Sequence, residues 1–429
     1  MSVFGKIKKI ISTKSIRSVV TLASATAGGQ LVLVLASPLL TRLYTPEQFG
    51  VLAIFSSMLG VIVVVSSLRY ELAIPLPRSQ RNGKSLLSIA LGINVLCTAL
   101  IFALVFWLRG PVAELAGVPS LVSFLWLLPI AVLCMGSYRS LNFWAVRNKD
   151  YRRIAKTKIS QSISNVVIQV SGGLVGLGAL GLLLGQIAGQ AVGVVRLSRG
   201  LTLRALFLNK GADRSRERVL LRKYSRFPKY DVPAAFVNSI SNELPQLMFT
   251  ALFNPAIAGF YLLAQRVLAS PLNLVGQAVA QVLYGNAGEA IATGKLGVIV
   301  SRVVLTLTAL VVLPSLVIFF WGDEIFALIF GESWREAGQV AAILMLGIAA
   351  QFVYSPISLT LLAMEGQHIN LGLNLTMILL RGLGIYWGWL QSDALVAVLG
   401  FSVAGFVVYI LGTILVIVRA YRFNVRKYL

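Results

Sequence analysis

The long apolar runs of this 429-residue chain contain a few ionisable side chains, which are its residues best suited to bind a charged group. Arg266 and Glu243 each lie about 14–15 Å from the end of an apolar run at 1.5 Å per residue, and Arg381 lies about 12 Å from the end of another. A charge at such depth in a bilayer is costly and usually faces a cavity or a partner. Two interpretations stay open: a cationic binding cavity, or an ion pair between Glu243 and Arg266 that holds two helices together.

Amide side chains recur at helical spacing on four apolar runs, of which one carries Arg266 and another carries Arg381. Stripes on four helices exceed what hydrogen bonds between neighbouring helices require. They predict a hydrated lumen with a positively charged second half. We expect it to be lined by Asn238, Asn242, Glu243, Gln246, Asn273, Gln277 and Asn374, with Gln161, Asn165 and Gln169 forming the stripe of the first half.

Other chemistry is disfavoured by the motifs. The segment Gly176–Gly181 fits the dinucleotide pattern GxGxxG, but it lies at a turn between apolar runs, where no cofactor-binding domain follows. Cys97 and Cys134 form no CxxC, and the single histidine, His368, cannot build a metal site or a proton relay alone. The chain also has no P-loop motif. We therefore expect no catalytic residues, no metal site and no bound cofactor.

The composition of the chain indicates which kind of secondary structure holds these side chains. Hydrophobic residues make up 57% and charged residues 12% of the chain, against about 25% charged in soluble domains. The bilayer is therefore the expected solvent, and an all-α polytopic membrane protein is the expected fold class. Twelve runs are long enough to span it: 18–41, 49–68, 85–107, 120–143, 157–173, 177–196, 231–252, 256–284, 297–320, 337–362, 368–389 and 394–418.

The net charge of +23 is distributed unevenly: basic residues concentrate in every second gap between the apolar runs. When the fourth, sixth and eighth gaps are taken with the adjoining ends of the runs, as 138–160, 196–229 and 285–302, the termini and the even-numbered gaps hold 33 of the 38 Lys and Arg residues, and the odd-numbered gaps hold three. This is the positive-inside bias of membrane proteins rather than a nucleic-acid surface, so no nucleic-acid partner is expected. It predicts a multi-pass protein of the bacterial inner membrane with both termini in the cytoplasm.

The long basic segment near the middle of the chain divides the twelve runs into six and six. A weak repeat supports the division: Tyr44-Thr45-Pro46 with Gly50 matches Phe253-Asn254-Pro255 with Gly259. We expect two six-helix bundles related by a pseudo-two-fold axis along the membrane normal, with the substrate path between them. The predicted boundaries are an interfacial segment 1–17, a bundle 18–196, a cytoplasmic linker 197–230, a bundle 231–418 and a basic tail 419–429.

Several segments resemble the Wzx-type oligosaccharide-lipid flippases of the multidrug/oligosaccharidyl-lipid/polysaccharide (MOP) exporter superfamily. They are Arg226–Tyr230, Asn242–Pro245, Gly259–Arg266, Gln277–Tyr284, and Pro38–Pro46 with Phe49-Gly50. The resemblance implies a MATE-like fold with two bundles in a V around a cationic cavity. It implies that Arg266, Arg381 and Arg42, which lies nearer the outer surface, receive an anionic headgroup.

The substrate implied by the resemblance is an undecaprenyl-pyrophosphate-linked oligosaccharide. It would move from the cytoplasmic to the periplasmic leaflet by alternating access, for O-antigen, capsule or exopolysaccharide synthesis. The implied partners are this polyprenyl-pyrophosphate-linked glycan, the lipid bilayer, and the polymerase and chain-length proteins of the same pathway. Coupling to a proton or sodium gradient stays open.

Two alternatives stay open beside the flippase. A cation-coupled multidrug exporter of the same superfamily would be expected to carry acidic lumen residues in its first half, and the first six runs have none except near their ends. A polymerase or ligase of the same pathway would need large outer loops with charged catalytic groups, whereas the longest outer gap has about sixteen residues.

Overall fold

Helices form nearly all of the described structure, a computed structural model that describes residues 13–201, 214–364 and 366–426. No strand occurs within these ranges, as the apolar runs predicted. The principal helices are α1 (Thr13–Leu43), α2 (Pro46–Val63), α3 (Gln80–Leu115), α4 (Leu127–Arg147), α5 (Tyr151–Leu174), α6 (Ala179–Ser198), α7 (Arg214–Lys223), α8 (Val232–Leu252), α9 (Pro255–Ala264), α10 (Ser270–Ala292), α11 (Leu296–Phe330), α12 (Arg335–Ser358), α13 (Gln367–Leu390) and α14 (Ala394–Arg426).

Each of the twelve predicted apolar runs is helical over most of its length, with α9, a π-helical turn and α10 together forming the eighth. Within the described ranges, nine helices are long and apolar enough to cross a membrane by length and composition. The other three runs lie in α4, α5 and α8, which carry more polar and charged residues. The predicted all-helical membrane fold is confirmed, and two of these three helices, α5 and α8, carry candidate lining residues.

Two compact units make up the chain. Unit 1 comprises residues 1–36 and 51–244, and unit 2 comprises residues 37–50 and 245–429. The end of α1 and the start of α2 thus belong with the second half of the chain, and most of α8 belongs with the first. The predicted division at 197–230 stays a prediction. Residues 1–12, 202–213 and 427–429, which belong to the predicted interfacial segment, linker and tail, lie outside the described ranges.

A hydrophobic core of unit 1 is built mainly from α3, α4 and the turn at Tyr70–Ala73, and the basic helix α7 packs onto it through the buried Leu220. Three basic segments meet at this end of the unit. The Tyr70 hydroxyl donates to the Leu221 carbonyl at 3.2 Å, and Arg153 Nη2 donates to the Arg196 carbonyl at 2.8 Å. The segments that the charge pattern assigns to one side of the membrane are therefore neighbours in unit 1.

In unit 2, helices α11, α12, α13 and α14 pack against one another around a core that includes Leu296, Tyr354 and Val416. Trp334 is fully buried near the other end of α12, where its indole N–H donates to the Thr41 carbonyl at 3.0 Å. This bond fixes the end of α1 within unit 2.

The two matched turns of the sequence repeat contact each other in unit 2. A Cβ added to Gly50 would overlap the Pro255 carbonyl, and a Cβ added to Gly259 would overlap the Pro46 carbonyl. The same Gly259 Cβ would lie 3.1 Å from the Gly50 nitrogen. The starts of α2 and α9 therefore cross backbone to backbone in a reciprocal arrangement, which only glycine permits at both positions.

Candidate functional site

Arg266 lies in a π-helical turn, Gln265–Ala269, between α9 and α10. Pro271 follows it and lacks the N–H that a regular α-helical turn would use, and π turns inside helices often occur at functional sites. The Arg266 guanidinium carbon lies 5.8 Å from the centre of the Phe49 ring, within cation–π distance. Its Nη1 is buried and has no hydrogen-bond partner. One donor of this cation is therefore unused.

Arg381 lies in α13 and packs against α14. Its guanidinium carbon lies 4.3 Å from the centre of the Phe401 ring and 5.7 Å from that of Tyr409. Gly405, between these two rings on the same face of α14, leaves room for the guanidinium, since an added Cβ would lie 3.0 Å from Nη2. The Nε atom of Arg381 is buried without a hydrogen-bond partner.

Rings rather than carboxylates surround both arginines. Phe49 contacts Trp334 with ring centres 4.9 Å apart, and Phe401 contacts Tyr261 at 5.9 Å. The ion pairs among the described residues join other side chains: Arg69 to Glu71 and Asp231, and Arg335 to Glu332. A cation against an aromatic face keeps its charge available, whereas a carboxylate would neutralise it. Unit 2 therefore presents two guanidinium groups suited to an anion.

Arg42, the third predicted cationic residue, lies exposed in the last turn of α1. A positive side chain there interacts favourably with the negative end of the helix dipole. The ion pairs of the described residues do not include it. Arg42 therefore lies at an exposed helix end, whereas Arg266 and Arg381 are half-buried.

Glu243 belongs to unit 1, where α8 packs against α2. Its carboxylate is hydrogen-bonded to the Ser57 side chain, and a Cβ added to Gly60 would lie 2.9 Å from its Oε1. One turn earlier on α8, Ser239 Oγ donates to the Gly60 carbonyl at 3.0 Å. Arg266 belongs to unit 2, so the alternative ion pair would have to join the two units.

The predicted lining amides fall into two groups. Gln246 is buried, and its Nε2 donates to the Ala258 carbonyl at 2.9 Å, so this amide connects α8 to α9 inside unit 2. The other predicted amides of α8, α10 and α13 are exposed, and polar side chains within membrane-spanning helices almost always face the bundle interior or a water-filled cavity. These exposed residues are Asn238 and Asn242 in unit 1, and Asn273, Gln277 and Asn374 in unit 2.

Sequence reasoning did not identify the aromatic partners of the arginines. Phe401, Gly405 and Tyr409 recur every four residues, so they share one face of α14. That spacing could have indicated a groove for a flat side chain, although nothing in it points to Arg381. Phe49 precedes Gly50 in the repeated turn, and the repeat alone does not show that Arg266 lies over its ring.

Metal and thiol chemistry have little basis in the described residues. No group of three or more His, Cys, Asp or Glu side chains within those ranges could hold a metal ion. Cys97 and Cys134 are free cysteines.

Comparison with solved structures shows similarity to MOP superfamily transporters. The chain matches an inward-facing multidrug resistance MATE family transporter of the MOP superfamily with a TM-score of 0.66, at 14% identity, over 94% of this chain and 95% of that one. It matches the lipid II flippase MurJ in its inward closed conformation with a TM-score of 0.68, at 12% identity, over 96% and 91%. A MOP superfamily transporter from Pyrococcus furiosus, described by the reverse polarity of its binding pocket, matches with a TM-score of 0.56, at 12% identity, over 95% and 96%.

These likenesses establish the fold, which is that of the MOP transporters. A comparison with curated protein sequences gives no match. The sequence profile of a polysaccharide biosynthesis protein family matches residues 39–339, well over half of the chain. The matched region includes the reciprocal glycine crossing, Glu243 and Arg266, together with the helices that position them. This membrane protein therefore belongs to the polysaccharide biosynthesis protein family.

Proposed function

We propose that this protein is a flippase for polyprenyl-pyrophosphate-linked oligosaccharides. It moves the repeat units of O-antigen, capsule or exopolysaccharide from the cytoplasmic to the periplasmic leaflet by alternating access. One observation carries the proposal: Arg266 and Arg381 each lie over an aromatic ring, each with a buried N–H that lacks a partner. Membership of a polysaccharide biosynthesis family and the fold shared with MurJ support the same substrate class.

A pyrophosphate is the anion that these groups fit. It must leave water while its polyprenyl tail stays in lipid, so it needs a charged, hydrated path. A guanidinium group pairs with two phosphate oxygens at once and does not lose its proton. Outward transfer of an anion is favoured by an inside-negative potential, by about 2.3 kcal/mol per charge per 100 mV. The direction proposed is therefore electrically downhill.

The exposed amides supply groups for the sugar. Asn238, Asn242, Asn273 and Gln277 can each donate to and accept from hydroxyls. Changes at these positions are expected to alter which glycan is accepted before they abolish export. No bound cofactor is needed for this mechanism. If transport is coupled to a proton or sodium gradient, Glu243 with Ser57 is the carboxylate available for the cation.

The proposed setting is the inner membrane of a bacterium, with both termini and the basic segment 197–230 in the cytoplasm. Polymerase and chain-length proteins would act on the glycan after it has crossed.

Complementation of a flippase-deficient strain tests the proposal, with lipid-linked intermediates counted in the inner membrane. The double variant Arg266→Ala, Arg381→Ala is expected to reach the membrane at normal abundance and to lose export. A hydrogen bond to a charged group contributes about 1.5–3 kcal/mol, so each single change should slow export by roughly tenfold to a hundredfold. The matched control is Arg335→Ala, since Arg335 is an exposed arginine paired with Glu332. Normal export by the double variant rules out the proposed function.

A cation-coupled drug exporter is the second candidate, favoured by one observation. Glu243 is a half-buried carboxylate of a membrane-spanning helix with a neutral serine as its hydrogen-bond partner in unit 1. Such a group could exchange a cation for a cationic drug. Drug efflux that depends on Glu243, together with normal export by the double arginine variant, would favour this candidate.

A further inference from the structure

A polar pocket lies inside unit 1, among the three helices α1, α5 and α6. Its volume is about 190 Å³. This is below the 300–1,000 Å³ of pockets for drug-sized ligands, and it corresponds to about six water molecules at ~30 Å³ each. Its principal polar side chains are Gln30, Lys158, Gln161, Asn165, Gln186 and Gln190. A single small polar ring is the size of ligand that fits.

Glycines allow the helices to enclose this space closely. A Cβ added to Gly29 of α1 would lie 2.8 Å from Ser162 Oγ, and one added to Gly189 of α6 would lie 3.0 Å from the Gln161 carbonyl. The backbones therefore approach while the long amide side chains remain beside them. Helices that only pack closely would have small residues along the whole contact. Here the contact also encloses long amide side chains and leaves a polar pocket between the helices.

The amides of the pocket satisfy one another only in part. Gln161 Nε2 donates to Gln190 Oε1 at 3.2 Å, and Ser56 Oγ donates to Gln186 Oε1 at 3.0 Å. Gln30 Oε1 and Asn165 Oδ1 are buried and have no hydrogen-bond partner. A hydroxyl group both donates and accepts, so it matches these amides in either orientation of their oxygen and nitrogen. The unmet hydrogen bonds point to a ligand rich in hydroxyls.

Lys158 adds a positive charge to the same pocket. Its ammonium lies 5.8 Å from the centre of the Tyr138 ring, and the charge of Arg139 acts on it as a like charge. The ion pairs of the described residues do not include Lys158, and the pocket has no acidic lining residue. A ligand carboxylate would provide the missing negative charge. A pyrophosphate fits less well, because Lys158 is the one basic residue among the described residues that line the pocket and would leave most of the pyrophosphate charge unpaired.

We propose that this pocket binds one acidic sugar residue, a pyranose that carries a carboxylate. Its hydroxyls bond to Gln30 and Asn165 after these amide groups rotate toward the pocket, and its carboxylate pairs with Lys158. As a subsite for the transported glycan it rests on the proposed function, while its ligand chemistry follows from the pocket alone. The pocket is a sugar site separate from the two arginines, which belong to unit 2.

Direct binding to the full-length protein in lipid nanodiscs tests the pocket. The probes are methyl glucuronide, methyl glucoside and inorganic pyrophosphate, titrated by saturation-transfer NMR. Methyl glucuronide is expected to bind saturably and at least tenfold more tightly than methyl glucoside. Lys158→Met should remove that preference, and Asn165→Leu should weaken both sugars. The matched control is Val167→Leu on the same helix, because Val167 is 53% exposed on the surface and does not line the pocket.

Three outcomes overturn the proposal. They are the absence of saturable sugar binding, equal binding of the two sugars by the unchanged protein, and unchanged glucuronide binding in both pocket variants. Pyrophosphate binding, lost in the Arg266→Ala, Arg381→Ala variant, reports on the proposed function separately. Glucuronide binding without pyrophosphate binding would therefore retain the sugar pocket and remove the flippase mechanism.

An export experiment tests whether the pocket binds the transported glycan or only a free sugar. Two complemented strains, one with an acidic and one with a neutral repeat unit, are compared for the Lys158→Met variant. If the site belongs to the transported glycan, export should fall by at least tenfold for the acidic repeat unit only. Equal export of both repeat units by this variant would contradict the role in transport.

Discussion

Arg381→Lys separates the charge of the guanidinium group from its shape. The substitution keeps one positive charge but replaces a planar fork of donors with a compact ammonium group. In the structure the guanidinium lies 4.3 Å from the Phe401 ring centre and 5.7 Å from that of Tyr409, so the two rings hold it in one orientation. We expect the variant to bind the headgroup with fewer hydrogen bonds and less defined geometry.

The magnitude follows from the bonds that the ammonium cannot make. Loss of one hydrogen bond to a charged phosphate costs about 1.5 kcal/mol or more, which corresponds to export about tenfold slower. Phe401→Leu keeps the arginine and removes the closer ring. A cation–π contact contributes about 0.5–1 kcal/mol at exposed sites and about 2 kcal/mol when desolvated, so we expect a slowing of at least about twofold.

The assay is the rate at which lipid-linked intermediates clear from the inner membrane in the complemented strain, normalised to protein abundance. Arg335→Lys is the matched control, because Arg335 pairs with Glu332 and does not lie over an aromatic ring. If Arg381→Lys exports at the rate of the unchanged protein while Arg381→Ala does not, a simple electrostatic sink is sufficient. That result would show that the shape of the guanidinium group does not matter for export.

Three further predictions concern packing and topology. Arg266→Ala should reduce export with normal abundance; a loss of abundance that Glu243→Gln restores would instead establish an ion pair between these residues. Gly50→Ala and Gly259→Ala should each lower the free energy of unfolding by about 1–3 kcal/mol, measured as a lower melting temperature in detergent, since an added Cβ would overlap a carbonyl of the crossing helix. The matched control Gly92→Ala, with nothing within 4 Å of an added Cβ, should be neutral or stabilising; equal effects at all three positions would contradict the crossing. A cysteine introduced in α7 should be labelled from the cytoplasmic side, and labelling from the periplasm would overturn the proposed orientation.

The apolar runs along the chain were sufficient to predict where the long helices lie and that they cross a membrane. In a bilayer each apolar run must satisfy its own backbone hydrogen bonds, so the run becomes a helix independently of its neighbours. That the basic segments of unit 1 lie close together was also predictable from the sequence. The positive-inside rule places each Lys/Arg-rich loop on the same side of the membrane, whatever its neighbours. Arg266 and Arg381 were identified because charges in apolar runs are costly whatever surrounds them.

The role of each polar side chain depends on how the helices pack, which the sequence pattern did not predict. Gln246 and Asn242 have the same helical spacing in α8, yet Gln246 is bonded inside unit 2 and Asn242 is exposed. The rings beside Arg381 come from α14, and the pocket around Lys158 combines three helices. Likewise, residues 37–50 belong to unit 2 although they precede the basic segment. Helix formation depends on neighbours along the chain, whereas these contacts depend on which helix faces pack together, and helical periodicity does not specify the partner.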